Sequence, residues 1–267
     1  MKKVKISAPC KINLNLKIKG ILENGFHEIE SIMQTVDLFD YLTIEKCELD
    51  SLNNQKFNVF LDGTKKEILS YGESNIVYKA SKLFFETTGI EASIKIFIEK
   101  NIPISAGLAG GSTDAAGVLY GLNELFNKPL NERDLLDLCE KLGSDLNFCL
   151  LGGRALVKGR GEVIEKLDFE PFNLTIVKPK NLSISAKEAY QKFDISKGVS
   201  NLDNDLEWAL LPFYKELQYL NSLGLKMSGS GSAYFKIGDF DYEFNSSFEV
   251  FKNLNAIPDG VSLIECL

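Results

Sequence analysis

The sequence predicts a mixed α+β protein of two domains. Several short runs alternate apolar and polar residues, as strands half-buried in a sheet do, and longer runs between them repeat apolar residues at helical spacing. The 267 residues also exceed what one average domain of about 100 to 150 residues holds.

Taken in order, "KVKISAPCKINLNLKIKGI" sets Val4 and Ile6, then Ile12, Leu14, Leu16 and Ile18, on one face, and reads as two strands broken at Pro9. "DYLTIEKCEL" (40–49) and "KFNVFLDG" (56–63) continue the β-rich pattern. In "SNIVYKASKLFFETTG" Ser74 can cap a helix, Ile76, Ala80, Leu83 and Phe84 share its face, and Gly89 ends it. "ASIKIFIEK" is a strand, with Ile94, Ile96 and Ile98 on one side. A glycine-rich loop then feeds a helix in which Ala115, Leu119, Leu122 and Phe126 recur, with Ser112, Thr113 and Asp114 at its start. "NERDLLDLCEKLG" is a helix capped by Asn131, and "RALVKGRGEVIEKL" a hairpin around Gly159 and Gly161. A strand begins near Leu174, so the domain boundary is placed near Leu167, giving 1–167 and 168–267.

Composition narrows the function. Apolar residues make up 45% and charged residues 25%, as in ordinary soluble proteins. The 30 basic and 37 acidic residues leave a formal charge of −7, and the N-terminal lysines alternate with apolar residues instead of clustering. No basic patch offsets that charge, so no nucleic-acid partner is expected. The five cysteines show no C-x-x-C or other metal-ligand spacing and read as reduced, buried thiols. With neither a signal-like apolar run nor a stretch of about 20 apolar residues, the expectation is a cytoplasmic protein without a membrane partner.

The loop "ISAGLAGGSTDAA" (104–116) is the most informative stretch. A dinucleotide fingerprint needs a second glycine where Ala109 stands, and a P-loop needs a lysine, whereas none lies between Asn101 and Asn127. The mechanism those motifs share survives: small residues bare their backbone N–H groups, and the following helix turns its positive dipole end outward.

In full, "PISAGLAGGSTDAA" resembles the P-x-x-x-G-L-G-G-G-S-S-[DN]-A-A loop of the GHMP kinases, the family named for galactokinase, homoserine kinase, mevalonate kinase and phosphomevalonate kinase. "APCKINLNLKIKGILENGFHEIESIMQTVDLFDYL" and "KMSGSGSAYFKI" resemble two further motifs of that family in the same order, and the likeness runs from Ser7 to about Ile237. Joined to "GSDLNFCLLGG" and "NDLE", the first of these is similar to the branch acting on a cytidine diphosphate-linked methylerythritol. The resemblance implies a ribosomal S5-like ATP-binding N-terminal domain and a ferredoxin-like C-terminal domain. It further implies transfer of the γ-phosphate of ATP, with Mg2+, to the 2-hydroxyl of that small molecule in non-mevalonate isoprenoid synthesis, by a monomer or weak homodimer.

The resemblance also assigns roles. Pro103, Ile104, Ser105, Ala106, Gly107, Leu108, Ala109, Gly110, Gly111, Ser112 and Thr113 would wrap the ATP phosphates, Ser112 approaching the magnesium ion, with Asn75 and Lys100 nearby. Lys11 would stabilise charge at the acceptor hydroxyl, though its context alone reads as an exposed strand lysine. Asp145 would accept or orient the hydroxyl proton, though an aspartate there can equally cap a helix. Asn13 would contact substrate, His27 would read the cytosine edge, and Phe26 and Tyr190 would sandwich the base across a cleft. Ala109, Thr113, Phe26, Asn147 and Ala186 depart from the usual glycine, serine, tyrosine, proline and threonine. Asn147 is expected to loosen the Asp145 loop. The rival expectations are a kinase for homoserine, mevalonate or a sugar, which would not set Phe26 and Tyr190 face to face, and a nucleotide-binding regulator without turnover.

Overall fold

The computed structural model describes residues 2–48, 56–196 and 200–267. Strand β1 (Lys3–Asn13) runs through Pro9 without the expected break. Proline lacks an N–H for the ladder, and the strand absorbs it as a register shift at Pro9/Cys10 against β3 (His27–Cys47). The chain instead breaks after Asn13 and resumes as β2 (Lys17–Ile21). At 21 residues β3 is far longer than the stretch the alternation marked. Its first half pairs with β2 and its second with β5 (Ala92–Glu99), which pairs in parallel with β4 (Phe57–Gly63). Leu49, the last residue of the strand expected at 40–49, lies outside the described residues.

Four helices cover this sheet. Helix α1 (Ile76–Thr88) is capped by Asn75, whose Oδ1 accepts from Val77 N at 2.9 Å; the expected cap, Ser74, stands one residue too early. Helix α2 (Gly110–Leu125) lies directly on β1 and β3. Gly121 makes that approach possible, since a Cβ there would sit 2.6 Å from Ile44 Cδ1 and 2.9 Å from Ile6 Cγ1. Helix α3 (Glu132–Leu142) carries the full capping box of Asn131 and Asp134, and α4 (Leu146–Leu151) follows. Ile6, Leu42, Ile44, Phe84, Ile96, Leu119 and Leu122 form the core between sheet and helices.

The hairpin β6 (Arg154–Gly159) and β7 (Val163–Lys166) hangs on the first half of β3. The chain then enters a second sheet through β8 (Asn173–Pro179), with Leu167 in the connection. Helices α5 (Ala186–Ile195), α6 (Asp205–Leu210) and α7 (Lys215–Ser222) precede β9 (Lys226–Met227), β10 (Tyr234–Ile237) and β11 (Phe248–Asn255). The four strands lie in the order β11-β8-β10-β9. Residues 168–267 are not confined to this sheet, however: β12 (Ser262–Cys266) crosses back and pairs antiparallel with β1. A third apolar cluster, including Ile12, Leu108, Ile176 and Phe235, joins the two halves under the glycine-rich loop. Among the described residues no helix is long and apolar enough to cross a membrane.

Candidate active site

The loop before α2 is built on alternating left-handed residues: Ser105 (φ 51°), Gly107 (φ 74°) and Ala109 (φ 60°). Such a backbone turns successive N–H groups inward, as an anion-binding nest does. Two of the three are not glycine, and left-handed backbone costs an L-residue about 1–2 kcal/mol. Ala109 therefore holds a strained conformation that a glycine would adopt freely. It is also the N-cap of α2 and makes no side-chain capping bond, which leaves the first-turn N–H groups without a side-chain acceptor.

Lys11 reaches this loop from the end of β1. It is buried, not exposed, and its Nζ donates to Asn13 Oδ1 (2.6 Å) and Gly107 O (3.1 Å) while lying 3.5 Å from Asp145 Oδ2. Asp145 occupies the N-cap position of α4 without capping it, so its carboxylate stays available, with the side chain 30% exposed. The amide of Asn13 is committed on both sides, to Lys11 and, through Nδ2, to Ser31 Oγ at 2.7 Å. Asn13, which also lines the cleft, thus holds the lysine in place.

Beneath the loop, Lys100 is buried as well, bridging the carboxylates of Asp40 and Asp114. Asp40 Oδ1 also accepts the N–H groups of Asn101 (2.6 Å) and Ile102 (2.9 Å). Burial, reinforced by the neighbouring Asp40 charge and opposed by Lys100, pushes the Asp114 carboxyl above the usual carboxylate range. Lys100 lines the cleft, but its charge is spent on this triad.

A cleft of about 1040 Å³ opens above these residues. That exceeds most single-ligand pockets and suits two substrates side by side. One end is walled by Asn75 and by the loop from Pro103 to Ser112; the other by Phe26, His27, Arg160, Tyr190 and Asp194; Lys11 and Asp145 line it too. Thr113, in the first turn of α2, does not reach it, being fully buried. Phe26 is 53% exposed, with the Arg160 guanidinium 5.7 Å from its ring centre. Tyr190 lines the same cleft as Phe26, and His27 stacks on one face of its ring at 4.6 Å. Burial, aided by the Asp145 charge, pushes the Tyr190 phenol up to about 12, so it stays protonated. Asn147, expected to loosen the Asp145 loop, ties α4 to the hairpin by donating from Nδ2 to Glu162 O at 3.3 Å. Burial raises the thiols of Cys10, Cys139 and Cys149 and leaves none of them a ready nucleophile.

The second half of the chain reaches this cleft through the loop at Ser228–Ser230. Ser228 Oγ accepts from Asn13 N (3.2 Å) and donates to Gly107 O (3.1 Å). Asn204 Nδ2 donates to Met227 O (3.0 Å) and Gly229 O (2.8 Å), while its Oδ1 caps α6. "NDLE" and "SGSGS" are thus two sides of one clasp. The motifs were visible in the sequence, but nothing local showed that they touch.

Residues 75–153 match the GHMP kinases N terminal domain. A 4-diphosphocytidyl-2-C-methyl-D-erythritol kinase of Caldicellulosiruptor bescii is 38% identical over 91% of each chain. One from Clostridium tetani is 39% identical over 90% of this chain and 91% of its own. The chain belongs to the GHMP kinases, in their 4-diphosphocytidyl-2-C-methyl-D-erythritol kinase branch. A crystal structure of 4-(cytidine 5'-diphospho)-2C-methyl-D-erythritol kinase superimposes on this GHMP kinase with a TM-score of 0.74 at 26% identity, covering 94% of this chain and 99% of that one. As a member of the family, it is an ATP-dependent small-molecule kinase.

Proposed function

We propose that this GHMP kinase transfers the γ-phosphate of ATP to the 2-hydroxyl of 4-diphosphocytidyl-2-C-methyl-D-erythritol, giving the 2-phosphate and ADP in the methylerythritol phosphate pathway. The observation that carries the reading is the Lys11–Asp145 pair in a cleft that has a phosphate nest at one end and an exposed aromatic ring at the other. ATP lies with its phosphates on the loop from Gly107 to Ser112, and the cytidine end of the acceptor lies against Phe26. Stacking there is worth roughly 1–3 kcal/mol.

In the transfer, the acceptor oxygen forms a bond to the γ-phosphorus while the bond to the bridging oxygen of ADP breaks. Asp145 orients the hydroxyl and takes its proton as the P–O bond forms. Lys11, held by Asn13 and the Gly107 carbonyl and 3.5 Å from Asp145, offsets the charge on the transferring group. Most of the work in such a transfer is positioning and charge neutralisation. Among the described residues no three of His, Cys, Asp and Glu converge as a metal cage. The Ser112 hydroxyl, in the cleft lining at the first turn of α2, would be the side-chain contact of a magnesium ion carried by the nucleotide phosphates. Bound there, the ion would offset negative charge on the nucleotide phosphates. An ADP-release assay across the cytidylated methylerythritol, homoserine and mevalonate tests the proposal. Turnover confined to either of the last two refutes it.

A further inference from the structure

Resting on that reading, the geometry points to Asp194 as the residue that makes the base end of the cleft select an amino-bearing pyrimidine over an oxo-bearing one. His27 Nε2 lies 2.7 Å from Asp194 Oδ1. A carboxylate can only accept, so the hydrogen on this bond belongs to Nε2. In the neutral imidazole the other nitrogen, Nδ1, is then a bare acceptor. The ring is held in this setting from more than one side: Tyr190 stacks on its face, and Phe193 meets it edge-on at 6.2 Å. Turning the ring over would put a C–H against the carboxylate and lose the bond. His27 is 13% exposed in its side chain and forms part of the cleft wall beside Phe26.

A bare Nδ1 accepts from the exocyclic amine of cytosine. The same position of uracil carries a carbonyl oxygen, which brings two acceptors together with no hydrogen between them. A site built to bond a substrate N–H discriminates strongly against an analogue without it, because the buried site group is left unpaired. Asp194 never touches the base in this scheme. It acts through His27 as a positioning residue, fixing which nitrogen carries the proton.

The test uses the intact chain and Asp194→Asn, which keeps the side-chain size but can donate as well as accept, and so no longer dictates the tautomer. Because His27 is the one histidine in the sequence, the imidazole 15N spectrum of the free protein reports it alone. The expected spectrum has a protonated Nε2 and an unprotonated Nδ1 in the parent and a mixture in the variant. Kinetics on cytidine- and uridine-diphosphate-linked methylerythritol should show the parent preferring cytidine, and the variant losing about tenfold or more of that preference in kcat/KM. A protonated Nδ1 in the parent, or an unchanged preference in Asp194→Asn, would overturn the assignment. Failure of the parent on the cytidylated acceptor would overturn the substrate reading and the base selection together, whereas the resonance pattern needs no acceptor and separates the two failures.

Discussion

Replacing Gly107 by alanine should disable transfer without unfolding the protein. The added Cβ would lie 2.1 Å from Ser228 O and 2.8 Å from Gly231 N, whereas real Cβ atoms keep at least 3.0 Å. Both obstacles are backbone, so no side chain can swing away. Clearing the nearer one moves the phosphate loop or the Ser228 loop by about 0.9 Å, and a misplacement of about 1 Å costs on the order of 10² in rate. The left-handed φ of 74° adds about 1–2 kcal/mol of strain. Gly89→Ala separates the two effects, because it has a similar φ of 67° but nothing within 4 Å of its Cβ. ADP release at saturating substrates, read beside thermal melting, should show Gly107→Ala losing about a hundredfold in kcat, while Gly89→Ala melts earlier and keeps its kcat. A Gly107→Ala enzyme within about twofold of the parent kcat would refute the claim that this contact positions the phosphates.

Asp145→Asn should lower kcat by about 10² or more with the KM for ATP nearly unchanged, and near-normal kcat sinks its role as proton acceptor. Lys100→Met leaves the carboxylates of Asp40 and Asp114 buried without their cation, so urea titration should show a loss of about 3–5 kcal/mol; a loss no larger than a surface change would contradict the triad. Asp114 has a raised pKa in the folded chain, so its stabilising contribution is complete below the unfolded carboxylate value of about 3.9 and is lost as pH rises through the folded value. The urea midpoint of Asp114→Asn should therefore fall less with rising pH than that of the parent, and parallel slopes would count against the shift.

What the sequence showed of the site followed from what is local in it. The loop's small residues, its missing lysine and the helix behind it were legible because backbone exposure and helix start are set within a few residues. Lys11 and Asp145 were named, but their burial and mutual approach were not, because 134 positions separate them and nothing in either neighbourhood encodes the other. The same holds for Lys100, whose two acidic partners come from β3 and α2. Pro9 misled for a different reason: a proline stops a regular ladder, and only the pairing partner reveals a bulge that tolerates it. At the base end the residues expected around the ligand line one cleft, and the stacking of His27 on Tyr190 is what the sequence did not show. Tyr190 backs His27, which leaves Phe26 with an open face and Arg160 near its ring.

The crossing of β12 back to β1 has a consequence for how the molecule is made. β1 carries Lys11 and Asn13, and it gains its second neighbour only from residues 262–266. On the ribosome the nucleotide-binding half therefore waits, with one edge of β1 unpaired, until residues 262–266 have been synthesised. β1 is synthesised long before β12 and completed only with it, so a chain stopped between the two leaves the backbone of Val4–Ser7, on the strand that carries Lys11, without this partner.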